Sequence, residues 1–345
     1  MNIGLLIQLQ GPAGIWGPSC ETSARLAVHE INSAGGIAGH EIALEVLDAG
    51  LPPDQVAARV SKAVAERRID AVVAMHPSDL RARIAASIAG RVPYVYTPQY
   101  EGGERHPGVY TIGETSRELL PPAMGWVAEH ERVQRWFILG NDYVWPRRSA
   151  ALVKALAART GARLVGERYV PWLYSERSDF SEELAAIRAS GADGVLVMLL
   201  GEDAIMFHRA FGEAGMAGRA ARLCLAFDEN LLYAVGEENT ERLYSVSAYF
   251  ANLDTRANNR FLDRYLALFG TRSPVPNMLG QSCYEGVHFL KSLIDAVPRG
   301  HGPFKRRDRF HLAHLSARSE DSLEMPSHVH IATVQGIDFK HVASF

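Results

Sequence analysis

The chain opens on IGLLIQLQ, an apolar run of strand length, and the polar loop GPAGIWGPS follows it. Residues 20 to 33 then place Ala24, Ala27, Val28 and Ile31 at i, i+3, i+4 and i+7, the spacing of one helix face. In HEIALEV, Ile42, Leu44 and Val46 alternate, as along one face of a strand. Gly35, Gly36 and Gly39 lie between the two patterns. A phosphate-cradling glycine loop must stand between a strand and the helix that follows it, because helix N-termini bind phosphate. Here the glycines follow a helix, where a left-handed C-cap is wanted. They are read as a helix stop, which argues against a nucleotide-binding fold.

The alternation continues. The pattern predicts a helix over 54–67, the strand IDAVVAM, a helix over about 79–89, the strand PYVYT and a short strand at 109–112. After Gly113 it restarts with a helix near Met124, the strand RWFILG, the loop NDYVWP and a helix running through Leu156. GARLVGERYV, a helix over about 181–189 and the strand GVLVMLL follow. Strand, aromatic and polar loop, helix, glycine turn and strand occur at 3–47 and again at 135–170, which predicts two similarly wound lobes. Strands alternating with helices imply parallel sheets covered on both faces. Ligands of such sheets bind beyond the carboxyl ends of the strands. The loops expected there carry Trp16, HPS at 76–78, TPQYEGG at 97–103, NDYVW at 141–145, GED at 201–203 and FDEN at 227–230. Two lobes facing each other across such loops would enclose a small ligand.

Composition narrows the choice. A length of 345 residues favours two domains over one. With 47% hydrophobic and 22% charged residues the chain has the make-up of a soluble globular protein. A net charge of −3 gives no reason to expect nucleic acid or a membrane surface as partner. Three distant cysteines, Cys20, Cys224 and Cys283, argue against a disulfide framework or a zinc knuckle. No stretch reaches the roughly 18 apolar residues of a membrane helix. Met1 and Asn2 lead directly into the first strand without a basic start. The expectation is a cytoplasmic protein, or a periplasmic one from which an export leader has been removed.

The run ARLAVHEINSAGGIAGHEIALEVLDAG resembles the N-terminal segment of type I periplasmic-binding-fold proteins of the branched-chain amino acid, amide and urea class. YTPQYEGGERHPGVYTIG, ILGNDYVWPRRS and SAYFANLDTRANNRFLDRYLALFG are similar to segments of the cytoplasmic amide sensors that regulate aliphatic amidase operons. The resemblance covers nearly the whole chain. It implies an α/β architecture of two doubly wound parallel-sheet lobes, joined by three crossovers and closing on a ligand like a Venus flytrap. The N-terminal lobe would comprise 1–116 plus 251–325, and the C-terminal lobe 117–250 plus 326–345. It further implies that Ser78 holds an amide and that Tyr96 and Tyr143 are pocket tyrosines. His76 and Trp145 stand where the sensors have tyrosines, and Pro98 where they have a threonine. Tyr100 of the YEG motif joins the same set.

Each candidate also has a plain role. Ser78 lies between a strand and a helix, the place of an N-cap hydroxyl. His76 by itself reads first as a loop-packing histidine, and Tyr96, Tyr143 and Trp145 are equally packing aromatics. Trp16, flanked by glycines, is expected to be presented rather than buried. Phe227, Asp228 and Glu229 precede a helix expected near Asn230. The acids either charge its first turn or bind a ligand's ammonium or amide N–H. A Ser-His-Asp hydrolase built on Ser78, His76 and Asp142 lacks a GxSxG elbow. Histidine pairs 328/330 and 311/314 lack a third metal ligand, and KRRDR at 305–309 is too short for a nucleic-acid footprint.

The sequence therefore predicts a non-enzymatic binding protein, with no cofactor or metal, for an amide, a urea-like compound or an amino acid. As an amide sensor it would work with a regulator such as an antiterminator, and a homodimer is compatible with that role. As the receptor of an ABC importer it would work with a permease.

Overall fold

The computed structural model describes residues 1–171, 179–295 and 329–345. KRRDR, His311, His314 and His328 lie outside the described residues.

The chain divides into two compact units. The first is built from β1 (Asn2–Ile7), α1 (Gly17–Ser33), β2 (Ala43–Asp48), α2 (Pro53–Ala65), β3 (Ala71–Met75), α3 (Ser78–Ile88), β4 (Tyr94–Tyr96) and β5 (Val109–Thr111). From Glu114 the chain enters the second unit. There it forms α4 (Ser116–Glu131), β6 (Arg135–Asn141), α5 (Val144–Thr160), β7 (Arg163–Val170), α6 (Ser181–Ser190) and β8 (Gly194–Met198). α7 (Gly201–Glu213), β9 (Ala221–Cys224), α8 (Glu229–Val235) and β10 (Leu243–Ser247) follow in the same unit. From Asp254 it returns to the first unit with α9 (Arg256–Phe269) and α10 (Met278–Asp295). β11 (His330–Gln335) and β12 (Asp338–Ser344) belong to the second unit again.

The first sheet has the order β2-β1-β3-β4-β5 and is parallel throughout. Its central strand β3 is buried at every residue, which is why AVVAM reads as a continuous apolar run. β2 is an edge strand whose side chains are mostly half-buried, so the alternation in HEIALEV is weak, and the strand starts at Ala43, inside that stretch. The glycine stop behaves as its residues require. Gly35 and Gly36 have φ of +96° and +79°, and the Gly36 N–H bonds the Ile31 carbonyl at 2.8 Å. A Cβ on Gly36 would run into the His40 carbonyl. α10 packs on α1 at Gly280, where a Cβ would stand 3.0 Å from Ser19 O and Ser23 Oγ.

The second sheet has the order β12-β11-β10-β9-β8-β6-β7. It is parallel from β7 to β10, and the final strands β11 and β12 extend it antiparallel at one edge. GED at 201–203 opens α7 rather than forming a loop, and Val144 to Pro146 belong to the first turn of α5.

Candidate functional site

In the first unit the carboxyl ends of β3 and β4 bring four of the predicted residues together. β3 ends at Met75, Pro77 takes the N-cap position of α3, and Ser78 is its first helical residue. The expected N-cap hydroxyl bond is not made. Ser78 Oγ instead accepts from Arg81 Nη1 at 3.1 Å and meets the Tyr96 hydroxyl at 3.3 Å. Tyr96 donates its own proton to the His76 carbonyl at 2.7 Å.

His76 is buried and both ring nitrogens are engaged. Nδ1 lies 2.8 Å from the Pro77 carbonyl, which only accepts, so Nδ1 carries the proton and Nε2 accepts from Tyr94 OH at 2.7 Å. Burial, helped by the charge of Arg81, pushes this imidazole down to about 3, so it is neutral. It therefore does not activate Ser78. Asp142, the third member of the conceivable triad, is exposed and pairs with Arg147 at 2.8 Å.

Arg81 is the centre that sequence reasoning missed. Its side chain is 6% exposed, donates from Nε to Glu104 and from Nη2 to Glu101, both at 2.6 Å, and lies 4.6 Å and 4.9 Å from the ring centroids of Tyr96 and Tyr100. Tyr100 OH meets Thr111 Oγ1 at 2.9 Å. The guanidinium thus pins the loop after β4 to the first turn of α3. Burial raises the Asp79 carboxyl, while the N–H groups of Asp79 and Leu80 hold its charged form at the helix start. No spacing rule joins Arg81 to carboxylates 20 and 23 residues away.

Trp16 corrects another expectation. It closes a single turn of tight helix (Gly14–Trp16), is 1% exposed, and its indole N–H has no hydrogen-bond partner among the described residues.

In the second unit Tyr143 takes the N-cap position of α5 with extended backbone and is half-buried. Trp145 is buried and donates to Ser116 Oγ at 3.1 Å, and Ser116 meets Ser149 at 2.7 Å. The rings of Tyr143 and Trp145 stand 6.2 Å apart, centroid to centroid. Phe227 is a core residue, edge-on to His208 at 5.0 Å and to Phe339 at 6.1 Å. Asp228 caps α8 by accepting from the Leu231 N–H at 3.2 Å, so α8 begins at Glu229, one residue earlier than expected. Glu229 Oε1 accepts from the Ala251 N–H at 2.7 Å, and Oε2 has no hydrogen-bond partner among the described residues. Burial, then the nearby charge of Asp228, pushes Glu229 up to about 8, so it holds its proton at neutral pH.

A second buried arginine lies on β9. Arg222 Nη1 donates to His208 Nδ1 at 3.0 Å, and Nη2 to the carbonyls of Asn239 and Glu241 at 2.8 and 2.9 Å. His208 Nε2 therefore carries the imidazole proton and faces Cys224 Sγ at 3.6 Å. Burial pushes the Cys224 thiol up to about 12, which leaves it inert as a nucleophile. Among the described residues no three His, Cys, Asp or Glu side chains are grouped to hold a metal ion, and no helix is long and apolar enough to cross a membrane.

The family model for periplasmic binding proteins matches residues 1–324. A Leu/Ile/Val-binding protein of Rhizobium johnstonii is 36% identical over 66 residues, which are 19% of this chain and 18% of that protein, so the match spans about a fifth of that relative. The fold is similar to a solute-binding protein of an ABC transporter from Rhodopseudomonas palustris HaA2, solved with p-hydroxybenzoic acid: TM-score 0.84, 17% identity, 100% of this chain and 96% of that one. It is also similar to the branched-chain amino acid receptor LivJ of Streptococcus pneumoniae, solved with isoleucine: TM-score 0.76, 16% identity, 99% of each chain. A leucine-, isoleucine-, valine-, threonine- and alanine-binding protein of Brucella ovis gives a TM-score of 0.78 at 18% identity, over 100% of this chain and 95% of that one. With two α/β lobes of the type I periplasmic binding fold and a family match over almost its whole length, the chain belongs to the periplasmic binding protein family.

Proposed function

We propose that this protein is the solute receptor of an ABC importer, working outside the cytoplasm with a membrane permease. The observation that carries this reading is the family match over residues 1–324. Likeness to ABC transporter receptors across nearly the full length of each chain supports it. It displaces the cytoplasmic amide sensor as the leading account. The sensor remains the second reading because YTPQYEGGERHPGVYTIG and ILGNDYVWPRRS resemble that branch.

The ligand is a small organic molecule approached from the first unit by Ser78, Tyr96 and the start of α3, with Tyr100 edge-on to Tyr96 at 6.2 Å and Trp16 as a further candidate. In the second unit Tyr143, Trp145 and Glu229 are the corresponding candidates. Arg81 already faces two carboxylates, and the Asp79 carboxylate already occupies N–H groups at the helix start. Both features favour a ligand that brings N–H donors, such as an amide, a urea or the ammonium end of an amino acid, over a bare carboxylate. His76 and Ser78 are turned to other partners, which supports binding without catalysis.

A thermal-shift screen against acetamide, urea, L-leucine, L-isoleucine and benzoate tests the ligand class. A ligand at 100 times its dissociation constant adds about 2.7 kcal/mol, a shift of a few degrees. Amides, ureas or amino acids are expected to raise the melting temperature; a response to benzoate alone overturns the donor-bearing ligand. Deleting the gene separates the two readings. Lost uptake of the stabilising compound supports the receptor, and lost amidase induction with uptake intact supports the sensor.

A further inference from the structure

We infer that His330 and His341 form a two-imidazole site for a divalent transition metal on the hairpin of β11 and β12. The two strands are joined by a two-residue turn, with Gln335 opposite Asp338 and Gly336 at φ +66°. His330 pairs directly with Ser344 across the ladder. Ala343 faces Ile331 and His341 faces Ala332, so the register slips and Val342 is left as a bulge. Without the bulge, His341 and Ser344, three residues apart, would point to opposite faces of the sheet. With it they share the face of His330, a re-aiming that bulges characteristically produce.

The result is a convergent geometry. His330 Nδ1 and His341 Nε2 each lie 2.8 Å from Ser344 Oγ, and the two rings meet edge to face with centroids 5.3 Å apart. Two imidazole nitrogens thus aim at one point and stand no farther apart than twice that distance. A hydroxyl satisfies both by donating to one nitrogen and accepting from the other. A metal ion at that point needs both nitrogens deprotonated, with their protons on the outer nitrogens, and a contraction of each distance to about 2.1 Å. Ser344 is exposed, and a rotation about its χ1 clears the position. Imidazole suits zinc, nickel and copper among the first-row metals, and water completes the coordination sphere. His330 is half-buried and His341 exposed, so an ion reaches them without unfolding the strand. Bound there, it cross-links the two outermost strands of the second sheet.

The test is isothermal titration of the tag-free full chain with NiCl2 and with ZnCl2, beside copper EPR of the wild type. One saturable site in the micromolar range is expected, with two nitrogen ligands in the copper spectrum. H330A and H341A should each weaken nickel binding by about tenfold or more, while S344A retains it. Absence of saturable binding overturns the site, and so does an H341A variant that binds as tightly as the wild type. Because the EPR signature needs no substitution, the inference stays testable even where a variant folds poorly.

Discussion

Arg81 in the first unit and Arg222 in the second are both almost wholly buried, yet their surroundings are opposite in kind. Arg81 has two carboxylates on its guanidinium. Burial pulls its pKa down, but Tyr96, Glu101 and Glu104 more than reverse that and raise it. The guanidinium of Arg222 bonds only a neutral imidazole and backbone carbonyls among the described residues, and burial lowers it to about 10. The carbonyls it holds belong to the turn between α8 and β10, so Arg222 acts as a staple inside a core. Arg81 stands where a loop must be fixed beside Ser78 and Tyr96. A buried charge with counter-charges holds a loop in one arrangement, whereas one with carbonyls closes off a turn.

The difference is open to attack. R81M should cost most, about 3–5 kcal/mol in urea unfolding, because it strands Glu101 and Glu104 in the interior without their cation. Its pH dependence gives a second check. Burial alone would raise Glu104, but the His106 N–H, Arg81 and the His106 ring together lower it from 4.5 to about 2. A lowered carboxyl stabilises the fold above its ordinary pKa and loses that contribution as pH falls through the folded value. The gap between R81M and the wild type should therefore close as pH falls from 4.5 toward 2. R222M should cost less, about 1–3 kcal/mol, since leaving its acceptors without their donor is offset by no longer burying an uncompensated cation. Equal costs for the two variants would erase the distinction.

Glu229 sharpens the same contrast from the acid side. Its raised pKa means that the folded state binds the extra proton between 4.5 and about 8, so stability falls as pH rises through that window. E229Q should flatten this slope and gain about 1–2 kcal/mol at alkaline pH, read from melting curves across pH. S78A should have the smallest effect on folding, within about 1 kcal/mol, because its bonds to Arg81 and Tyr96 are single and longer than 3 Å. Its expected signature is weaker binding of whichever ligand stabilises the wild type, at an almost unchanged melting temperature.

Most of the first unit was legible because its strands are short apolar runs and glycines follow α1 and α3. The direction of β11 and β12 was not, since alternation marks a strand without saying which neighbour it pairs with. A signal existed in QGID, where Gly336 sits in a two-residue hairpin turn. Trp16 was misread because flanking glycines allow a tight turn inward as readily as outward. Phe227 was misread because a residue at a strand's carboxyl end also borders the core. Ser78 was placed one position off, the usual error at a helix start. Arg81 and Arg222 were invisible: their partners depend on which loops the tertiary fold delivers, and helix or strand periodicity carries none of that.

Neither unit is a contiguous stretch of chain. α10 joins a helix that was made some 250 residues earlier, on the order of half a minute at a ribosomal pace of about 10 residues per second. β10 likewise waits for β11 with a row of unpaired backbone groups along its outer edge. Such long-range closures slow folding. A growing chain therefore passes through a lengthy period in which the first sheet lacks its late helix α10 and the second sheet lacks its last two strands, and a cut between residues 247 and 330 would leave the β10 edge available for pairing with a neighbour. Truncation after Leu253, where the second unit first ends, would thus yield aggregation before it yielded an isolated lobe.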